Sequence, residues 1–432
     1  MIRKILTVFL LITSATLLAQ RTSSSPYSFF GIGEQYTPRT VENATMGGIG
    51  VSFNHYKYLN FTNPAANAFL RQTTYAIGLL NNDLTLKSAD AKQSSTSTSL
   101  NYIALGFPIG SKAGFSVGLQ PVSSVGYSLS NSEFDVNGDI SAITLYAGDG
   151  GVNRLYGSFG IKLTKEIALG IEADYSFGNI ENSITNQRAD VSLATKYKES
   201  SIIRGGTVTL GTQYQKFLKN DTYVNAGATF KLGNDLKTYG NEYLYSLTVS
   251  GAGVDIPRDT LSSTSTNGRY KMPLKSILGV SVGKYDKWHV GVEYQNQDAI
   301  NPEGFINNTN NSFKYESSNR VSLGGFYIPK INSISSYWDR VTYRAGLRYE
   351  NIGLAIDGSG SGTNFTSIND FGMSFGLGLP LKQLSNVNLG FEYGKRGTTA
   401  NNLVQENYFN FRLSLSLTAS GAQSWFRKRK ID

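Results

Sequence analysis

From residue 73 to residue 418 the chain is a series of segments in which apolar side chains alternate with small or polar ones. In one such segment Leu169 and Ile171 would share one face of a strand, whereas Glu172 and Asp174 would share the other. An alternation with a period of two residues is typical of a β-strand and not of a helix. A chain built almost wholly of such segments can form a β-sandwich or a closed β-barrel.

The connections between the segments separate these two folds. Short turns alternate with long polar stretches; the turns are 110–112, 165–166, 220–221 and 286–287, and the stretches are 128–152, 182–200, 239–268, 296–314 and 351–366. Short turns on one side and long loops on the other are typical of outer-membrane barrels. We therefore predict an all-β fold, a transmembrane antiparallel β-barrel of about 14 strands that spans residues 73–418 and has its localisation in the cell outer membrane.

The two ends of the chain lack the alternating pattern of the barrel segments. Residues 1–4 are basic at Arg3 and Lys4, and an apolar run follows as far as Leu18, which predicts a signal peptide over residues 1–19. At the other end, residues 419–432 carry four consecutive basic residues. We interpret them as a C-terminal tail in the periplasm.

Residues 20–72, between the signal peptide and the first strand, have neither a helical nor a strand period. This segment is rich in glycine, which permits backbone shapes that other residues resist. Asn63, Pro64 and Ala65 have the order of a helix cap, a first-turn proline and the start of a short helix. A compact segment followed only by strands predicts a plug, or hatch, in the lumen of the barrel.

Composition excludes several kinds of site. The chain contains no cysteine, which rules out disulfides and thiolate metal ligands, and we predict no cofactor and no metal. Its formal net charge is +9, but apart from the tail the basic residues are scattered singly, unlike those of a nucleic-acid-binding protein. Only two histidines are present, and no serine is fixed beside His289 by local spacing, so we do not expect an enzyme.

Alternation also places a set of charged and polar side chains on the lumen face. Buried charges are costly unless they pair or meet water, so these side chains should form salt bridges that hold the plug against the wall. A polar channel or an anchor for a ligand head-group is the alternative that we favour less. The set comprises Lys162, Glu172, Asp174, Lys231, His289, Glu293, Arg344, Arg348, Glu350, Glu392 and Arg412.

Three of these features together resemble the FadL family of outer-membrane transporters for hydrophobic compounds. They are the Asn63-Pro64-Ala65 motif in the plug, the number of strands, and Pro121 after Gln120 in the third strand. The basic tail and the opening SPYSFFGIGE are similar to the Bacteroidetes branch of the family. The resemblance implies a kink at Gln120 and Pro121 that opens a lateral gap in the barrel wall.

The same resemblance implies a function. The protein would be a monomeric, passive channel for small hydrophobic compounds, fatty-acid-like or aromatic. The ligand would bind in an apolar pocket above the plug and leave sideways into outer-membrane lipid near Pro121. Because some members of that branch serve protein secretion, the alternative is a barrel scaffold or accessory subunit of a secretion or surface-attachment machine, with a protein partner. A general porin is disfavoured, since the plug would block it.

Overall fold

The computed structural model describes residues 24–419 except 90, 251–253, 304–311 and 382–384. The predicted signal peptide and, apart from Ala419, the predicted tail lie outside these residues. No helix in the described part of the chain is long and apolar enough to cross a membrane.

Fourteen antiparallel strands form the wall, and four of them contain one short break. We number them β1 to β14 in chain order. They are β1 Thr73–Lys87, β2 Lys92–Ile109, β3 Ala113–Phe134, β4 Ile140–Lys162, β5 Ile167–Arg188, β6 Ala194–Phe217, β7 Thr222–Lys231 and Asn234–Val249, β8 Asp255–Met272 and Lys275–Lys284, β9 Trp288–Gln297 and Asn301–Glu303, β10 Phe313–Tyr315 and Ser318–Tyr327, β11 Thr342–Ile356, β12 Thr366–Pro380, β13 Asn386–Arg396 and β14 Gln405–Ala419.

The sheet closes on itself because the last strand pairs with the first. The β14–β1 ladder runs without a break from Gln405 opposite Lys87 to Ala419 opposite Thr73. The predicted barrel and its strand number are confirmed.

The alternation seen in the sequence corresponds to the two faces of this wall. On β5, Leu169 and Ile171 are 42% and 49% exposed on the outside, whereas Glu172 and Asp174 are 4% and 5% exposed on the inside. Outward apolar side chains recur on every part of the barrel. A surface of this kind is suited to contact with lipid.

The prediction of long loops was wrong in one respect, because most of the residues assigned to them form strands. β3 continues to Phe134 and β4 begins at Ile140, so residues 128–152 form a hairpin with a connection of residues 135–139. The stretches 182–200 and 239–268 are also largely strand, and residues 351–366 shrink to a loop of 357–365. Above the lipid both faces of a strand meet water, so the apolar alternation fades although the backbone pairing continues. We call this the hairpin end of the barrel and the opposite one the short-turn end.

The plug, described here from residue 24 to residue 72, lies inside the barrel. Its elements are a 3-10 helix at Pro26–Phe29, the plug strand Glu34–Gln35, helix α1 at Val41–Ala44 and a 3-10 helix at Pro64–Phe69. Three further 3-10 turns lie in connections between strands, at Lys219–Asp221, Trp338–Arg340 and Ala400–Asn402.

The buried core therefore lies between plug and wall. Near the hairpin end, Ile32 of the plug packs with Val125, Val152 and Ile203 of the wall. Nearer the short-turn end, Val41, Leu59, Phe61 and Leu70 of the plug pack against wall residues, among them Tyr102 and Tyr156.

Candidate functional site: the lumen and the wall between β2 and β3

One carboxylate of the wall anchors the centre of the plug. Glu293 on β9 accepts hydrogen bonds from the backbone N–H groups of Gly50 and Val51, both at 2.7 Å. Its other oxygen is 2.7 Å from Nη2 of Arg39. The side chains of Arg39 and Glu293 are only 5% and 3% exposed, so the plug is held by a buried and fully engaged carboxylate.

The Asn63-Pro64-Ala65 motif lies against the wall near the short-turn end. Oδ1 of Asn63 accepts from the N–H of Ala65 at 3.0 Å, and Nδ2 donates to the carbonyls of Val51 and Thr212 at 2.7 and 3.0 Å. The wall approaches this helix closely, since a Cβ at Gly170 would lie 2.2 Å from the nitrogen of Ala65. Glycine is required there for the contact. Through Asn63, the motif connects the plug segment that contains Val51 with the wall at Thr212.

The wall itself is incompletely paired between β2 and β3. These strands pair only over seven residue pairs, from Ile109 opposite Ala113 to Ile103 opposite Leu119. Beyond Leu119, β3 stays paired with β4 as far as Phe134, and β2 stays paired with β1 back to Lys92. The two strands therefore separate immediately before Gln120 and Pro121.

The plug strand occupies part of the edge of β3 that this separation exposes. Glu34 and Gln35 pair antiparallel with Ser124 and Ser123, and the N–H of Tyr36 donates to the carbonyl of Val122 at 2.7 Å. A β-bulge in the β3–β4 ladder between Pro121 and Ser123 accompanies this pairing. The N-terminal part of the plug is thus an extra strand beside the opening.

A cavity of 610 Å³ extends from the opening across the lumen. On one side its lining contains leucines and polar residues of β1 and of the separated strands β2 and β3; they are Leu80, Leu84, Ser99, Leu100, Leu119, Gln120 and Pro121. On the other side it meets charged residues of β10 to β14. Apolar and aromatic residues elsewhere, among them Phe30, Ile352 and Leu354, also line the cavity, so the predicted pocket above the plug is apolar in part.

The charged side of the cavity is a network that we call the arginine–carboxylate cluster. Arg348 lies 3.0 Å from Glu392 and 3.2 Å from both Glu350 and Asp370. Arg396 connects the network to the plug, since its Nη1 is 2.7 Å from Glu34. The members are Glu34, Arg320, Arg348, Glu350, Asp370, Glu392, Arg396, Glu406 and Arg412. This arrangement fits the predicted salt bridges between plug and wall.

A second network surrounds Gln120. Arg154 on β4 donates to Oε1 of Gln120 from Nε at 3.0 Å and from Nη2 at 2.8 Å. Its Nη1 is 2.8 Å from Glu172 and 3.5 Å from Asp174, and Asp174 also contacts Lys231 at 3.3 Å. The amide at the opening is therefore fixed by a buried guanidinium.

The remaining predicted lumen residues also lie inside the barrel. Arg344 donates to Oδ1 of Asn388 at 3.1 Å, and the ammonium of Lys162 lies 4.1 Å from the ring centroid of Phe69 in the plug. His289 is fully buried, 3.0 Å from the hydroxyl of Tyr223 and stacked on Phe326. The structure thus brings Arg348, Glu350, Glu392 and Arg412 together but keeps Lys162, His289 and Arg344 apart from them.

Several lumen residues were missed by the sequence analysis. Arg154 shares the strand face of Lys162, and Arg320 and Asp370 fall within predicted strands, so alternation was a sufficient signal for all three. Glu34 lies in the plug, which has no strand period, and Arg396 lies where the apolar alternation has ended, so neither was accessible in this way.

The other histidine, His55, lies in the plug near the short-turn end. It is 7% exposed, stacks on Tyr56 and has its Nε2 3.7 Å from Asp286 in the β8–β9 turn. Burial lowers the pKa of His55 to about 4, against the opposing effect of Asp286. The ring is therefore neutral at pH 7.

Comparison with known proteins identifies the family. A sequence model of the BamG family matches residues 1–432. The chain belongs to the BamG family. No curated protein sequence matches this BamG-family chain.

Solved structures resemble this BamG-family protein in fold. The Ralstonia pickettii toluene transporter TbuX is 15% identical, with a TM-score of 0.56 over 90% of this chain and 99% of that one. The CymD monoaromatic hydrocarbon channel is 16% identical, with a TM-score of 0.55 over 88% and 97%. A Pseudomonas aeruginosa FadL homologue is 12% identical, with a TM-score of 0.58 over 89% and 98%. The FadL-like fold is thereby supported, and the Bacteroidetes branch stays a prediction.

Proposed function

We propose that this protein is a passive, monomeric outer-membrane channel for small hydrophobic compounds, which it releases sideways through the wall between β2 and β3. The observation that carries the proposal is the end of the β2–β3 ladder at Leu119, next to Gln120 and Pro121 and beside a 610 Å³ cavity.

Backbone energetics favour a functional reason for this opening. Within a bilayer an unpaired backbone group that faces lipid costs several kcal/mol, so membrane barrels normally pair every strand along its length. Proline has no N–H to donate, which makes Pro121 compatible with a position where the ladder ends. The plug strand engages part of the exposed edge at Ser123 and Ser124. An opening that is retained at such a cost and partly supported by the plug fits a lateral route.

The lining of the opening suits an apolar ligand. Leu100 and Leu119 are 43% and 40% exposed, and both also line the cavity, so they connect the lumen with the outer surface. A hydrophobic compound that moves along these side chains would reach lipid without passing the arginine–carboxylate cluster. A polar solute would gain nothing from this path.

The structural relatives support the class of compound. Their descriptions name toluene for TbuX and monoaromatic hydrocarbons for CymD. We extend this class to the present chain because it has the same fold and an apolar opening next to its cavity.

Outer-membrane vesicles offer a direct test, since they hold no energy source. Vesicles from cells that produce the protein should take up the apolar fluorescent probe N-phenyl-1-naphthylamine faster than vesicles without it. The release of trapped sucrose should be the same in both preparations, because the plug blocks the passage of a polar solute along the lumen. Equal rates of probe uptake would contradict the channel and would favour the alternative, a scaffold for protein secretion or surface attachment.

A further inference from the structure

A second cavity, of 120 Å³, adjoins the first one inside the lumen. The two cavities share a boundary that we call the junction. Its residues line both cavities, and they are Gln35, Tyr36, Thr37, Arg39, Lys275 and Gln297. Four of the six belong to the plug, at the last residue of the plug strand and just after it.

Lys275 on β8 brings to the junction an amino group that no adjacent carboxylate neutralises. Its ammonium donates a long hydrogen bond of 3.5 Å to Oγ1 of Thr37. Across the described ranges of the chain, no carboxylate lies within 4.0 Å of it. By contrast, Lys231, which lines the second cavity, and Arg320, which lines the first, each contact a carboxylate. A cation enclosed without a counter-ion is costly, and a bound anion would offset that cost.

Arg39 supplies a second donor at the same place. Its Nη2 pairs with Glu293 and its Nη1 donates to Oγ1 of Thr62. The Nε group, however, has no hydrogen-bond partner in the protein, although Arg39 is only 7% exposed. Arg39 and Lys275 thus both line the junction, and charge-assisted hydrogen bonds to a carboxylate are among the strongest in proteins.

The second cavity provides a place for an apolar body beside these donors. Part of its lining is hydrophobic, with Ile32, Pro38, Phe61, Val122, Leu236, Met272 and Ile277, and the rest is polar or charged, including Arg154, Glu172 and Lys231. An apolar cavity of about 150 Å³ is known to hold one benzene molecule. A volume of 120 Å³ therefore suits a single ring or a short alkyl chain, and it excludes the long chains of a lipid.

We propose that the junction binds the carboxylate of a small aromatic or short-chain carboxylic acid. Lys275 and Arg39 hold the carboxylate, and the second cavity holds the apolar body. The inference rests on the proposed transport of small hydrophobic compounds and assigns an acidic subset of them to a defined site. A neutral hydrocarbon of the same shape would leave Lys275 without a counter-ion and would bind there more weakly.

Calorimetric titration of the purified full chain with benzoate tests this site, with benzamide as the uncharged isostere. In the Lys275→Met variant benzoate should bind about 10-fold to 100-fold more weakly, because a hydrogen bond to a charged group is lost. Benzamide should bind the variant and the wild type equally. Lys275→Arg, which keeps the charge, should retain benzoate binding and thereby show that the site is intact.

Lys162→Met is the matched control. Lys162 is also a lumen lysine without a carboxylate within 4.0 Å in the described part of the chain, but it lines neither cavity. Its variant should bind benzoate as the wild type does. Equal loss in both variants, or unchanged benzoate binding in Lys275→Met, would overturn the assignment. Uptake of N-phenyl-1-naphthylamine by vesicles with the wild-type protein separates the two proposals. Uptake of this neutral probe without benzoate binding would overturn the junction site alone, whereas a lack of uptake would contradict the channel.

Discussion

Arg39 of the plug and Glu293 of β9 form a buried ion pair, with Nη2 and Oε1 2.7 Å apart. Because Glu293 also accepts from two backbone N–H groups of the plug, it ties the centre of the plug to the wall. Removal of one partner of a buried pair leaves an uncompensated charge behind.

Glu293→Gln should therefore loosen the plug. We expect a loss of about 3–5 kcal/mol in the free energy that holds it in place, since Arg39 stays buried without its carboxylate. Hydrogen exchange of residues 39–60 measures this, and Glu166→Gln, at an exposed turn residue, is the control. Unchanged protection of the plug in Glu293→Gln would contradict the anchoring role.

Asn63→Ala should weaken the plug by a smaller amount. The substitution removes a cap and two hydrogen bonds from a residue that is 0% exposed, at a cost of about 1–2 kcal/mol. Ionic conductance across planar bilayers should rise, whereas Asn131→Ala in the exposed β3–β4 hairpin should leave it unchanged. If both variants conduct alike, the Asn63-Pro64-Ala65 motif does not hold the plug.

An arginine on the lipid face should cost most at mid-depth. Leu347 is 44% exposed near the middle of β11 and lies opposite the outward Leu323 and Met373. Leu347→Arg should destabilise the barrel by about 2–4 kcal/mol, and Leu145→Arg, towards the hairpin end, by about 0–1 kcal/mol. Denaturant titrations of refolding into liposomes compare them. Equal losses would place both residues at one depth and contradict the assigned membrane belt.

The sequence was sufficient for the barrel because alternation is a local signal. Leu169, Ile171, Glu172 and Asp174 show the correct faces without knowledge of any neighbour. The sequence was insufficient for features that depend on which strands pair and on how the plug contacts the wall. Neither the short β2–β3 ladder nor the contact of Glu34 with Arg396 leaves a trace in local spacing, and the hairpins above the lipid lose the apolar period that marks a strand.

The plug should also become less stable in mild acid. His55 has a folded-state pKa of about 4, below the value near 6.5 of the unfolded chain, because burial disfavours its charged form. Between these values the unfolded state binds more protons, so stability falls as the pH drops from 6.5 towards 4. The charged groups that act on His55 are Asp286, Lys57 and Arg344.

Hydrogen exchange of residues 39–72 at pH 7 and pH 5 measures this effect. The loss between pH 6.5 and pH 5 should be about 2 kcal/mol in the wild type. His55→Gln should reduce it, because glutamine does not titrate. An equal loss in the variant would show that other groups cause the acid sensitivity.

A crosslink across the opening tests the lateral route most directly, and the absence of cysteine from the chain makes it clean. Leu100 on β2 and Leu119 on β3 both line the cavity at the opening, and both are accessible, with exposed fractions of 43% and 40%. Cysteines at these two positions are joined with a bismaleimide. The control joins cysteines at Leu105 and Val117, which are already paired in the closed part of the ladder.

Vesicle uptake of N-phenyl-1-naphthylamine is then measured for both crosslinked proteins. The account predicts that the Leu100–Leu119 crosslink abolishes the uptake, whereas the Leu105–Val117 crosslink leaves it unchanged. Undiminished uptake through the protein crosslinked at 100 and 119 would contradict release through the wall.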